Sequence, residues 1–349
     1  MTRALWLSLS ILGVGCASKD TPPDEEPRSE GPSVFYSWSG SAWEPELAAA
    51  PGQTVGKVLA VGADAKRMVG RTPGNIVAIR PLKDGVIADF ATTEAMLRYF
   101  IQQGTGRRSL ASPRLVVCIP FGITEVEKRA LQESARVAGA REVFLVPEPL
   151  AAAIGAGLPV SDPIGSMIVD IGGGTTEIAV MSLGGIAAST SLKVAGDSMD
   201  EAIAASVKRR FGCLIGERTA EEIKLAVGCA APLREIRSIT VKGRDIATGS
   251  PRQFEYTSED AAEAMQDCVH QIIEAIRRTL EQTPPDLAAD ILEQGVVLAG
   301  GGAMLRGLDE VLRDATELPV LVAEDPLRCV VHGAGVVLED AELLARMAL

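Results

Sequence analysis

Twice in this chain an apolar run ends in three consecutive glycines. Met167-Ile168-Val169-Asp170-Ile171 precedes Gly172-Gly173-Gly174, and the run 295–299 precedes Gly300-Gly301-Gly302. Three glycines in a turn leave the backbone N–H groups free to face a phosphate, because no Cβ stands in the way. Around these two points the pattern is α/β: from about Leu59 onward, short β-branched runs alternate with helical runs. Leu115-Val116-Val117-Cys118-Ile119 predicts a buried strand ending at Pro120. Thr124, with Glu127 three residues on, predicts the start of a helix through a capping box, and Gly139 its end. The next strand is expected at 143–146. The runs 167–171 and 178–181 flank the first glycine turn and predict a hairpin. Ser258 is expected to cap a long helix with Met265, Val269, Ile272, Ile273, Ile276 and Leu280 on its apolar face, ended by Pro284-Pro285.

Composition narrows the function. At 47% hydrophobic, 349 residues can bury more than one small core, and with 4% aromatics that core must rest on aliphatic side chains. A formal net charge of -12 argues against a nucleic-acid binder, which needs clustered Lys and Arg. The six cysteines form no CxxC pair and there are two histidines, so no zinc framework is visible. Cys118 and Cys268 fall in apolar patterns and read as small core residues; the scatter suits a reducing compartment.

Four elements carry candidate chemistry. In Asp170-Ile171-Gly172-Gly173-Gly174-Thr175-Thr176-Glu177 the glycines can cradle phosphate, Thr175 and Thr176 add hydroxyl donors, and Asp170 at a strand end is placed to hold hydrated Mg2+. Gly300-Gly301-Gly302-Ala303-Met304 lets backbone approach a ligand at a helix start, or simply packs helix on strand. Glu148-Pro149 stands at a strand-to-helix junction, with Pro149 suited to the first helical position; Glu148 there could orient a water or act as a plain N-cap. Glu221 and Lys224 lie one turn apart on a helix after Thr219, where an ordinary solvated ion pair is the bland alternative.

In this order the four elements resemble the actin, DnaK-chaperone and hexokinase superfamily. Asp170 to Glu177 is similar to its second phosphate loop and Gly300 to Gly302 to its adenosine motif. Val116 to Gly122 and Gly333-Ala334-Gly335 resemble its two connecting segments. Gly70-Arg71-Thr72-Pro73-Gly74-Asn75-Ile76, Arg80-Pro81-Leu82-Lys83-Asp84-Gly85-Val86-Ile87-Ala88-Asp89-Phe90, Ala195-Gly196-Asp197-Ser198-Met199-Asp200-Glu201-Ala202-Ile203, Ile215-Gly216-Glu217-Arg218-Thr219-Ala220-Glu221 and Ala323-Glu324-Asp325-Pro326-Leu327 narrow the resemblance to the MreB branch of the bacterial actin-like proteins. It covers about 59–337.

The resemblance implies an α/β, actin-like fold in which two RNase-H-like cores flank a nucleotide cleft, divided into four subdomains. The expected divisions are 1–30 as a divergent N-terminus and linker, 31–75 as subdomain IB and 76–154 as IA. Then come 155–194 as the first part of IIA, 195–258 as IIB, 259–323 as the second part of IIA, and 324–349 as the return to IA. It implies ATP and Mg2+ as ligands. Asp170 would hold the metal, while Glu148 and Thr175 would act in catalysis. Gly172, Gly173, Gly174, Thr175 and Thr176 would bind the phosphates, and Gly196 and Asp197 would also face the nucleotide. Glu221, Lys224, Gly300, Gly301, Gly302 and Met304 would surround the adenosine. It further implies self-association into filaments at the inner membrane surface, with membrane proteins of cell-wall synthesis as partners, no nucleic acid, and a part in rod shape.

The N-terminus departs from that pattern. The superfamily opens with a strand, an aspartate and a Gly-Thr turn, whereas the corresponding Leu7-Ser8-Leu9-Ser10-Ile11-Leu12-Gly13-Val14-Gly15 has no carboxylate. One Mg2+ carboxylate and half of the phosphate clamp are missing, so hydrolysis is expected to be weak or absent while binding persists. The apolar run 4–14 before Cys16 has two readings: a first buried strand, or a lipoprotein signal with Cys16 acylated and the acid- and proline-rich 18–33 as linker. Gly104-Thr105-Gly106-Arg107-Arg108-Ser109-Leu110, with one leucine, would insert only shallowly in a membrane, leaving the N-terminus as anchor. Two functions compete with a cytoskeletal ATPase: a catalytically silent subunit of the same fold, and an exported lipoprotein.

Overall fold

The structure, a computed structural model, describes residues 33–36, 47–49, 59–73, 76–79, 82–83, 86–87, 90–105 and 112–347. It opens on β1 (Ser33–Tyr36). A small antiparallel sheet follows, made of β2 (Leu47–Ala49), β3 (Ala60–Val61) and β4 (Val77–Ile79), with the short helix α1 (Ala63–Lys66) between the last two. After the ladder of β5 (Leu82–Lys83) with β6 (Val86–Ile87) come α2 (Phe90–Thr105), β7 (Arg114–Ile119), α3 (Glu125–Ala138) and β8 (Glu142–Pro147). β1, β7 and β8 lie parallel in that order and form the first main sheet.

β7 shows why the run 115–119 has no polar face. Leu115, Val117 and Ile119 pack with Leu97, Ile101, Leu131 and Ala135 of α2 and α3. Val116 and Cys118 point the other way, into a second cluster, so both faces are covered. α3 is bounded as its sequence predicts. Thr124 and Glu127 form the reciprocal capping box, and Gly139 closes the helix in the left-handed region, where φ is 119°.

α4 (Glu148–Gly155) leaves β8 without a loop. The chain then makes the antiparallel meander β9 (Ser166–Ile171), β10 (Thr176–Ser182) and β11 (Gly185–Leu192), which contains the expected hairpin. α5 (Gly196–Phe211), β12 (Cys213–Leu214), α6 (Glu217–Val227), β13 (Ser238–Asp245) and β14 (Pro251–Thr257) follow, the three strands forming a small antiparallel sheet. α6 begins two residues before Thr219, on Gly216, and not after it.

α7 (Ser258–Gln282), α8 (Pro285–Gln294), β15 (Val296–Ala299), α9 (Leu308–Thr316) and β16 (Val320–Val322) return to the larger sheet, whose order is β11-β10-β9-β15-β16. The apolar stripe of α7 is buried from Met265 to Ile276 in a third cluster, beneath the larger sheet, and Leu280 packs against its edge. Its cap is Thr257 instead of Ser258. Thr257 and Asp260 make the capping box, and the Ser258 hydroxyl accepts from the Arg237 N–H at 3.1 Å.

α10 (Cys329–Glu339) and α11 (Ala341–Met347) close the chain. α10 crosses α4 backbone to backbone. A Cβ on Gly155 would lie 1.8 Å from the Cys329 carbonyl oxygen, and one on Gly333 1.8 Å from that of Ala151. Cys118 and Cys268 are core residues as expected.

The residues before Ser33, Cys16 among them, and the loop residues 106–111 lie outside the described residues. The described strand beside β7 is therefore Ser33–Tyr36, and the sequence after it, Ser37-Trp38-Ser39-Gly40-Ser41-Ala42-Trp43, again has no carboxylate. No described helix is long and apolar enough to cross a membrane.

Candidate functional site

The two glycine triplets, 128 residues apart in sequence (300 minus 172), are neighbours in space. β15 lies parallel to β9 with Ala299 opposite Asp170, so both strands deliver their glycines to the same edge of the sheet. That edge, at the carboxyl ends of parallel strands, is where α/β proteins bind ligands. The contact admits nothing larger. A Cβ on Gly300, whose φ is +80°, would sit 2.4 Å from Asp170 Oδ1 and 2.3 Å from the Ile171 carbonyl oxygen; one on Gly302 would sit 2.2 Å from Ile171 Cγ2. Gly300 donates its N–H to Pro326 O at 2.8 Å, which fixes the second turn.

The first turn is held from inside and outside. Gly172 N–H donates to Thr175 O at 2.9 Å. The start of α5 then docks on it, Gly196 N–H donating to Gly172 O at 3.0 Å and Asp197 N–H to Gly173 O at 2.8 Å. Those two amides are spent on the turn. Thr176 is fully buried and donates its hydroxyl to Val194 O at 2.7 Å, so it secures the hairpin and brings no donor to the cleft; Thr175 is buried beside it.

A cleft of about 620 Å³ opens over this edge. Of the residues expected from sequence, Gly172, Gly173, Gly196, Asp197, Glu221, Lys224, Gly301, Gly302 and Met304 line it. Glu148, Asp170, Gly174, Thr175, Thr176 and Gly300 stand behind the lining. Sequence reasoning missed Lys66, Arg67 and Val69, which come from the small sheet region, and the Asp200 carboxylate on α5. Asp200 had a signal, since it stands one turn after Gly196 in the segment already singled out. The three residues near α1 had none.

Glu221 and Lys224 are not partners of each other. Lys224 Nζ donates to Asp200 Oδ2 and to Gly196 O, both at 2.8 Å, pinning the start of α5. Glu221 Oε1 accepts from Lys66 Nζ at 2.8 Å. The tertiary neighbours win because a mutual pair at this spacing is worth only a few tenths of a kcal/mol.

Three carboxylates gather beneath the turns. Asp170 is 2% exposed, and neither of its oxygens has a hydrogen-bond partner among the described residues. Burial, and then Glu177 directly across the hairpin, push its pKa up to about 7. Glu177 is also raised by burial, though the Ser191 hydroxyl at 2.6 Å and the Phe121 N–H at 3.5 Å donate to it and pull it back. Glu148, first residue of α4 and 1% exposed, reaches the same region from the other core. The Cys118 thiol is raised well above its ordinary range by burial, then by Glu148, then by Asp170.

A parallel sheet and a mixed sheet, each backed by helices, with paired glycine turns at a cleft on the edge of the mixed one, define an actin-like protein. The chain belongs to the MreB/Mbl protein family, whose model matches residues 41–346. It is 57% identical over 287 residues to the cell shape-determining protein MreB of Escherichia coli strain K12, covering 82% of this chain and 83% of that one. Crystal structures of MreB5 of Spiroplasma citri are similar in fold. The one bound to ADP has a TM-score of 0.80 at 35% identity, and the one bound to AMPPNP 0.79 at 34%; each covers 84% of this chain and 88% of that one. The MamK double helical filament shares the fold alone, with a TM-score of 0.70 at 22% identity over 84% of this chain and 91% of that one.

Proposed function

We propose that this chain is a nucleotide-binding, filament-forming subunit of the cell-shape cytoskeleton, taking ATP with Mg2+ in the cleft between its two glycine turns. The observation that carries this reading is Asp170: a buried carboxylate with no hydrogen-bond partner among the described residues, at the point where two glycine turns meet. An ion of that kind is costly to bury unless a cation completes it. One carboxylate together with phosphate oxygens is an ordinary Mg2+ donor set, so the residues fit the metal. Bound there, Mg2+ would neutralise charge on the phosphate oxygens.

The chain's own residues divide the work. Gly172, Gly173 and Gly174 offer backbone to the phosphates, with Thr175 beside them, while Gly196, Asp197 and Thr176 hold that turn in shape. Glu148 would orient the attacking water. Gly301, Gly302 and Met304 form one side of the nucleoside site and α6 with Glu221 and Lys224 the other; Met304, 59% exposed, and Leu225, 67% exposed, leave apolar surface uncovered there. Neither 7–15 nor 37–43 contains Asp or Glu, so the opposite half of the phosphate clamp has no second carboxylate in either stretch. Hydrolysis is accordingly weak or absent, and the subunit acts through binding and assembly.

Bound MreB5 structures support the nucleotide, and the MreB relatives support the role in shape. The subdomain divisions of the sequence reading, a place at the inner membrane surface and cell-wall synthesis partners belong to the same proposal. Sedimentation with negative-stain electron microscopy tests it. With ATP and Mg2+ the purified chain should pellet as filaments; a chain that stays monodisperse at every concentration, with and without nucleotide, refutes self-assembly.

A further inference from the structure

The cleft is bridged at its mouth. Lys66, the last residue of α1, reaches across to Glu221 in the middle of α6 and donates to Oε1 at 2.8 Å, the two side chains being 26% and 21% exposed. α6 is rooted in the core beneath the larger sheet through Ala220, Ile223 and Val227, and among the described residues none of α1 belongs to that cluster.

Three other charged pairs described at the cleft lie each within one wall. Arg67 pairs with Asp64 within the α1 segment, Arg218 with Glu222 along α6 at 3.0 Å, and Lys224 with Asp200 at 2.8 Å. Lys66 is thus the α1 cation turned across the opening. Its partner is the carboxylate that the nucleotide reading places against the adenosine.

We propose that Lys66 is a positioning residue that acts through Glu221. The ion pair closes the small-sheet side of the cleft over the nucleoside, holds the Glu221 carboxylate in place, and sets the rate of nucleotide release. This rests on the nucleotide-binding reading above and extends it to a gate and the residue that bolts it.

Release of a fluorescent ATP analogue, followed by stopped-flow displacement, tests the gate. Lys66→Gln should release about threefold to fivefold faster, the scale of a partly exposed ion pair, and Lys66→Arg should restore slow release. Raising ionic strength should speed release from the wild type more than from Lys66→Gln, because only the former has this pair to screen beyond the nucleotide's own contacts. Equal rates and equal salt dependence in the two proteins overturn the proposal.

A second arm does not depend on those variants folding identically. In a Cys16→Ser background, Lys66→Cys with Glu221→Cys places two thiols at the mouth, while the five other cysteines are buried. Cross-linking after loading should trap the analogue relative to the same protein reduced; release at the reduced rate would overturn the gate. A wild type that binds no analogue at all removes the nucleotide reading itself, and the gate with it, an outcome distinct from binding with an indifferent Lys66.

Discussion

At the scale of single residues, Asp170 shows binding chemistry set against stability. Its pKa, raised to about 7, lies above the value of an unfolded aspartate, so the native state holds a proton that the unfolded chain has lost. Native stability without ligand should therefore fall as pH rises from about 4 to about 7, and level off above that. Asp170→Asn should flatten part of that slope, the rest coming from Asp200, which burial also raises to about 7, and should stabilise the ligand-free fold by about 2 kcal/mol or more at pH 8, because no ionised carboxylate is then left buried at that position. The same change should abolish the Mg2+ dependence of nucleotide binding. Urea unfolding at several pH values measures the first, and titration with and without Mg2+ the second. A flat stability profile in the wild type would contradict the burial argument. The place of Asp170 at a strand end before a glycine turn was legible in sequence because the octet Asp170 to Glu177 is long and follows an apolar run; its part in holding a metal belongs to the proposal. Thr176 was only half legible: its hydroxyl was read as a phosphate donor, yet the strand turns it inward to Val194. Lys66 was not legible at all, since nothing in a sequence marks a cation that meets its partner 155 residues on.

At the scale of elements, boundaries were readable wherever local chemistry decided them. Thr124 and Glu127 cap α3 because the reciprocal bonds are made within one turn. The start of α7 was placed one residue late because Thr257 and Ser258 can both cap; Asp260, three residues after Thr257, decides for the threonine. Glu221 and Lys224 show the limit of local spacing, for each is claimed by a residue on another element. The α4–α10 crossing matters more than its short helices suggest, because it carries Glu148 on one helix and joins the ends of both cores. Gly333→Ala would drive a methyl group into the Ala151 carbonyl, so the helices must separate. We expect a loss of about 2 kcal/mol or more, the cost of overpacking against backbone, seen as a lower urea midpoint. Weaker nucleotide binding should accompany it, since Glu148 moves with α4. A variant as stable as wild type would show that the crossing is looser than described.

At the scale of the whole molecule, the glycine echo becomes one site because β9 and β15 are adjacent and parallel, and the cleft forms where α5, α6 and the α1 region meet over that edge. Family membership follows from 41–346, and the open question is how much chemistry survives with no carboxylate in either 7–15 or 37–43. The most direct test is equilibrium binding of ATP with Mg2+ to the purified chain, with phosphate release followed in the same samples and Asp170→Ala as control. The account predicts Mg2+-dependent binding that Asp170→Ala loses, with little or no phosphate released by either protein. Absence of binding by the wild type, or binding indifferent to Mg2+ and to Asp170, would contradict it.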